Sequence, residues 1–332
     1  MAPLLTVENL TIAFPRATPV HNLSFEVEQG QTLAIVGESG SGKSLTALAL
    51  MQLLPRSATT PTGQILFNGT DLVHLDRREM RHRRGRDIAM IFQEPMTSLN
   101  PVMTIGKQIA EVLKVHEKIS SRQARQRAID LLKLVRIPAA EKRVDEYPHQ
   151  LSGGMRQRVM IAIAVACKPK LLIADEPTTA LDVTIQAQVL DLLDTLRREL
   201  QMAVVLITHD LGVVSQWADK VVVMYAGRKV EQALPDDLFH APLHPYTQGL
   251  LAASPRLKSD FHYRDGALTE IPGSIVSATG EKGCPFRPRC PQARAACGYQ
   301  VPPLTVPAPD RLVACPFTLP VKAVSHAALV SH

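Results

Sequence analysis

Eight consecutive residues, Gly37, Glu38, Ser39, Gly40, Ser41, Gly42, Lys43 and Ser44, constrain this chain more than any other stretch. The apolar run Thr32–Val36 precedes them, and a helix-forming stretch follows until Pro55 stops it. Glycines let backbone N–H groups turn inward around an anion, and the positive end of the following helix reinforces that field. The pattern is that of a phosphate loop, in which Lys43 neutralises the β- and γ-phosphate oxygens and the Ser44 hydroxyl ligates Mg²⁺. A chance Gly-rich turn would match part of the pattern; here the strand, the loop and the helix are all present. That order opens an α/β nucleotide fold.

Residues 171–174, Leu-Leu-Ile-Ala, read as a buried strand that runs into Asp175 and Glu176. Asp175, at the strand end, can hold Mg²⁺ directly or through water. Glu176 stands one residue further on, where a general base takes a proton from an attacking water. Two acids after a strand are by themselves a common helix cap; at this distance behind a phosphate loop they read as catalytic. Ser152, Gly153 and Gly154 open a helix over 153–166 and make a second anion site at its N-terminus. One nucleotide does not need two γ-phosphate sites in one chain. The second site is therefore expected to serve a nucleotide held by another subunit, in a head-to-tail dimer; a plain Ser-Gly-Gly helix cap is the alternative.

Around these motifs the chain reads as antiparallel strands over 4–27, further strands over 88–92 and 203–207, and an amphipathic helix over 121–135. The short, nearly all-apolar strands suit a parallel sheet covered on both faces. After about residue 235 Pro, His and Arg become frequent. The organisation expected is a nucleotide-binding domain over 1–235 with a helical subdomain near 105–158, a connecting extension over 236–281, and a Cys-rich unit over 282–332 whose last fifteen residues are disordered.

The motif set resembles the ABC ATPase family. Residues 37–44 match its Walker A motif, Gln93 its Q-loop, and 152–155 its signature. Asp175 and Glu176 match the Walker B end, residues 180–182 the D-loop ending in Asp182, and His209 the switch histidine. The resemblance implies a P-loop core with an antiparallel β subdomain and a helical signature subdomain. It implies that Phe14 stacks on adenine and that Gln93 senses the γ-phosphate or Mg²⁺, as a third group beside Ser44 and Asp175. It also implies that His209 contacts the γ-phosphate. Met155 stands where Gln is commoner, and Phe14 where Tyr often stands.

Residues 91–101, 147–150, 184–188 and 244–247 look like peptide-importer ATPases. The implied function is the ATP-hydrolysing motor of a dipeptide or oligopeptide importer, with ATP and Mg²⁺. The implied partners are two transmembrane permease subunits, a second, paralogous ATPase in a heterodimer, and a periplasmic or extracellular peptide-binding protein. The implied place is the cytoplasmic face of the plasma membrane. Nickel and other small-solute importers share parts of the pattern.

Cys284, Cys290, Cys297 and Cys315 form a second constellation, with gaps of five, six and seventeen residues. A zinc ribbon wants a close Cys-x-x-Cys pair, which is missing here. Four thiolates hold an iron–sulfur cluster or Zn²⁺, and four unrelated thiols are the bland alternative. The resemblance implies a [4Fe–4S] cluster, with zinc as runner-up. No phosphate-loop residue lies near these cysteines in sequence, so the unit is expected to be structural or regulatory, and ATP binding at Lys43 to survive its disruption.

Composition removes other classes. One Trp among 332 residues gives no platform for stacked bases, so no nucleic-acid partner is expected. The net charge of +6 is spread, and the basic run over 77–86 reads as a solvated face. No signal peptide is visible, and the apolar runs fall short of the about 18 residues a membrane span needs. A soluble, cytoplasmic chain is expected. A DNA-repair ATPase would need a long coiled coil between Lys43 and Ser152, and only about 110 residues lie there. A translation ATPase usually carries two cassettes, and an interaction module with a vestigial ATPase would not keep the full catalytic set.

Overall fold

The computed structural model describes residues 2–93, 98–179, 181–254, 270–278 and 280–318. Its first sheet is antiparallel and contains β1 (Leu5–Phe14), β2 (Ala17–Val27), β4 (Thr62–Phe67) and β5 (Thr70–Asp71), in the order β2-β1-β4-β5. The second contains β3 (Thr32–Val36), β6 (Ile88–Ile91), β7 (Leu171–Asp175), β8 (Ala203–Thr208), β9 (Lys220–Tyr225), β10 (Arg228–Ala233), β11 (Thr305–Ala308) and β12 (Arg311–Val313). Its order is β11-β12-β10-β9-β3-β8-β7-β6.

The neighbours β6-β7, β7-β8, β3-β8 and β3-β9 run parallel. Their apolar runs are continuous because both faces are covered. In β8, Ala203, Val205 and Ile207 pack toward the β1–β2–β4 side, while Val204 and Leu206 pack toward the helical lobe. Each fully buried Ile or Val of this kind stabilises the fold by about 1.5–3 kcal/mol. Register then fixes the site. Ile207 of β8 is level with both Ile35 of β3 and Asp175 of β7. The carboxyl ends of β3, β7 and β8 therefore finish side by side, as ligand sites in parallel sheets require.

The helical lobe contains the helices Ile105–Glu117, Ser121–Leu134 and Gly153–Val165, which share a core of residues such as Ile109, Leu132 and Val159. The expected helix at 121–135 starts behind a capping box, in which the Ser120 hydroxyl accepts from Gln123 N–H and the Ser120 N–H donates to Oε1 of Gln123.

The stretch read as a mixed connecting segment begins as ordered structure. Helices Pro235–His240 and Pro245–Ala252 pack on β9 and β10 around Tyr225, Tyr246 and Phe286. Residues 255–269 lie outside the described residues. The Cys-rich unit does not stand apart from the sheet: β12 pairs antiparallel with β10, and the buried Arg311 of β12 approaches the buried Glu231 of β10 to 3.5 Å. Apart from Thr318, the tail expected to be disordered lies outside the described residues.

Candidate active site

The phosphate loop joins β3 to the helix Lys43–Leu50. Gly42, the residue before that helix, has φ 97°, and a Cβ there would come within 2.6 Å of the Pro19 carbonyl oxygen; glycine is required on both counts. Ser39 and Gly40 are exposed at the tip, while Gly37 and Lys43 are buried below it. The Lys43 ammonium donates to the carbonyls of Gly37 at 2.8 Å and Glu38 at 3.0 Å. Burial lowers its pKa, and the carboxylates of Glu176, Asp175 and Glu38 oppose that.

Ser44 Oγ donates to Asp175 Oδ1 at 3.1 Å, joining the loop to the end of β7. Burial raises the Asp175 carboxyl above its ordinary value against that hydrogen bond. The pair offers two hard oxygen donors, the chemistry Mg²⁺ selects.

Glu176 follows with φ 46°, an uncommon backbone conformation for a glutamate, pinned by its N–H donating to the Ile207 carbonyl at 2.9 Å. Gln93 Nε2 donates to Glu176 Oε2 at 3.0 Å, Thr179 Oγ1 donates to the same oxygen at 2.8 Å, and His209 Nδ1 lies 3.3 Å from Oε1. Burial pushes the carboxyl up, but Thr179, His209 and Lys43 together outweigh it and hold Glu176 below the ordinary range. Three residues chosen from separate sequence motifs, Gln93, Glu176 and His209, thus meet at one carboxylate. The sequence reading missed Thr179; its signal is the hydroxyl three residues after Glu176.

The signature residues occupy another place. Ser152 caps the helix Gly153–Val165 by accepting from Met155 N–H. A Cβ at Gly154 would stand 2.8 Å from Ile185 Cγ2, so the helix can approach Ile185 only with glycine there. Gln157 of this helix is buried and donates to the Pro177 carbonyl at 2.6 Å, linking the signature helix to the chain just after Glu176. Asp182 caps the helix Val183–Leu200 through Ile185 N–H. Phe14 ends β1, partly buried against the β-subdomain core. Residues 94–97 of the Q-loop block and Ala180 of the D-loop lie outside the described residues.

The four C-terminal cysteines line one cavity, with Pro302, Phe286 and Phe317 among its walls. Backbone N–H groups donate to all four sulfurs: Phe286 to Cys284, Gln292 to Cys290, Phe317 to Cys315, and Arg294 to Cys297 at 3.5 Å. Burial raises the thiols of Cys284, Cys290 and Cys315, Cys284 to about 11. Among the described residues, no three His, Cys, Asp or Glu side chains group so as to hold a single metal ion.

The Cys-rich unit, remote from the phosphate loop in sequence, touches it in space. Arg289, the residue before Cys290, pairs with Glu38 of the loop at 2.7 and 3.1 Å. Glu38 N–H also donates to the Tyr246 hydroxyl at 2.9 Å. Tyr246 is placed by His244, whose Nδ1 accepts from Tyr246 N–H and caps the helix Pro245–Ala252. Complete burial lowers His244 to about 3, so its ring stays neutral and keeps that acceptor. Sequence separation hid both contacts.

The model of the ABC transporter family matches residues 20–179, and that of the oligopeptide/dipeptide transporter C-terminal region matches 230–297. The oligopeptide transport ATP-binding protein OppD of Salmonella typhimurium is 50% identical over 317 residues, covering 94% of this chain and 93% of that protein. OppD of Bacillus subtilis is 52% identical over 307 residues, 91% of this chain and 85% of its own length. Among solved structures, the ATP-binding cassette MJ0796, described as a post-hydrolysis dimer bound to ADP and Pi, has a TM-score of 0.62 at 28% identity, covering 70% of this chain and 98% of that one. CbiO1 of Clostridium perfringens, part of the cbiONQ transporter complex, has a TM-score of 0.63 at 28% identity, covering 73% of this chain and 92% of that one. The chain belongs to the ABC transporter ATP-binding proteins, in the group that carries the oligopeptide/dipeptide transporter C-terminal region.

Proposed function

We infer that this chain is the ATP-hydrolysing subunit of a peptide importer. The observation that carries the reading is the meeting of Gln93, Glu176 and His209 beside the Ser44–Asp175 pair. Lys43 binds the β- and γ-phosphates, with the exposed loop tip at Ser39 and Gly40 around them. Phe14 stacks on the adenine. Ser44 and Asp175, with Gln93, hold Mg²⁺, which when bound neutralises charge on the phosphate oxygens. Glu176, ionised at neutral pH, accepts a proton from the attacking water, and Gln93 and His209 hold that carboxylate in place.

Ser152, Gly153 and Gly154 head a helix packed on Leu181 and Ile185, which supports their serving a nucleotide on another subunit, with Asp182 nearby in the chain. A second, paralogous ATPase fits that role. Two transmembrane permease subunits and an external peptide-binding protein complete the importer, and this subunit docks on the permease from the cytoplasmic side. The exposed side chains of Phe92, at 42% within the Q-loop block, and Val102, at 79% just after it, support docking there. Among the described residues, no helix is long and apolar enough to cross a membrane.

Cys284, Cys290, Cys297 and Cys315 ligate a [4Fe–4S] cluster. Four thiols lining one cavity, each receiving a backbone N–H donor, support a thiolate-bound group. The domain limits that go with this reading are 1–235, 236–281 and 282–332.

The test is growth. Deleting the gene abolishes growth on a dipeptide that supplies a required amino acid. The parental gene restores growth, and a Lys43→Ala gene does not. Unchanged dipeptide growth with lost nickel uptake would assign the chain to another importer group.

A further inference from the structure

Glu38 puts a carboxylate into a loop that holds a polyanion. The phosphate-loop pattern leaves its second position open, so the turn itself does not require an acid there. Like charges a few ångströms apart repel, most strongly where water is excluded. The structure pairs this carboxylate from far along the chain. Both terminal nitrogens of Arg289 reach Glu38, one per oxygen, and the Arg289 side chain is only 4% exposed. A two-pronged pairing of this kind fixes geometry as well as charge.

The guanidinium is also locked to the C-terminal extension. Its Nε donates to the Pro272 carbonyl at 2.8 Å and a terminal nitrogen to the Ile271 carbonyl at 3.2 Å. Two other parts of the extension reach the same loop. Tyr246 accepts the Glu38 N–H, and Ile275 lies 3.7 Å from where a Gly40 Cβ would sit.

We propose that Arg289 is a positioning residue for nucleotide binding, neutralising Glu38 so that the phosphate loop accepts ATP fully only while the extension is folded against it. The inference rests on reading residues 37–44 as the ATP site. It makes the extension a regulator of nucleotide affinity in cis.

The experiment is equilibrium dialysis of Mg-ATP against the full-length chain. Arg289→Ala is expected to weaken binding by at least about tenfold, or about 1.4 kcal/mol. The double variant Glu38→Ala/Arg289→Ala is expected to recover most of the lost affinity, because the unpaired carboxylate is gone. A mere tether would leave the double variant as weak as the single one, which would overturn the proposal. So would an Arg289→Ala chain that binds like the parent. If Arg289→Ala fails to fold, Arg289→Lys takes its place. It keeps a point charge and loses the fork, and is expected to weaken binding about threefold, with recovery on adding Glu38→Gln. Parental affinity in Arg289→Lys, or no recovery, would overturn the proposal in that case. A parental chain that does not bind Mg-ATP would instead remove the ATP-site reading, which separates the two failures.

Discussion

His209 Nδ1 stands 3.3 Å from Glu176 Oε1, so the end of β8 reaches across to the end of β7. The two strands are parallel and in register, with Asp175 level with Ile207. Glu176 is held from its other side by Thr179 and Gln93. A carboxylate with both oxygens held is already oriented for the role of base proposed for it.

Replacing Glu176 by Gln keeps the size of the side chain and removes the base. Nucleotide binding is expected to survive, and turnover in the assembled transporter to fall by at least about 10². Hydrolysis at the parental rate would show that another group takes the proton.

The pH dependence has a definite sign. The proposed base must be ionised, and the lowered pKa of Glu176 keeps it so to more acidic pH than an ordinary carboxylate. Removing the hydroxyl in Thr179→Ala raises that pKa. The acidic limb of the turnover profile then moves to higher pH. The stability contributed by the ionised carboxylate is present above its unfolded pKa and lost as pH falls through the lower folded value. A Thr179→Ala profile identical to the parent would rule out this hydrogen bond as the cause.

Phe286 lies edge-on to Tyr225 at 5.2 Å and to Tyr246 at 5.3 Å, and is 2% exposed. Phe286→Ala is expected to cost about 3–5 kcal/mol in urea unfolding. It should also expose Cys290 to thiol reagents, since this packing holds the Cys-rich unit on the sheet. Parental stability with unreactive thiols would mean the unit is anchored elsewhere.

The cysteine cavity is tested by chemistry. Protein purified without oxygen is expected to carry iron and acid-labile sulfide in equal amounts, about four of each per chain. Zinc without sulfide would replace the cluster, and a metal-free folded unit with free thiols would remove the site.

Head-to-tail assembly is tested by cross-linking. Cysteine at Ser39 and at the signature serine of the paralogous subunit should trap an ATP-dependent pair. Trapping only between copies of this chain, through Ser152, would give a homodimer.

The parallel strands and the loop were legible because their physics is local. A strand buried on both faces needs a continuous apolar run, and residues 171–174 and 203–207 supply it. Lys43, Ser44, Asp175 and Glu176 announce themselves as acids, cations and hydroxyls at the ends of such runs. β4 was not called, since its half-buried residues give only a broken alternation. Arg289 and Tyr246 were illegible for another reason. They meet Glu38 across 251 and 208 residues of sequence, and nothing local to an arginine between Pro288 and Cys290 points to a phosphate loop.

The pairing of β12 with β10 bears on how this protein can be shortened. Among the described residues, residues 311–313 return from far along the chain to pair with the outer side of β10. A chain stopped before them would present β10 as a bare edge, with unpaired backbone donors and acceptors and the buried Glu231 stripped of Arg311. Such an edge recruits strands from neighbouring molecules. The cassette cut free of its C-terminal segment would therefore tend to aggregate, although the phosphate loop, Asp175 and Glu176 would all still be present.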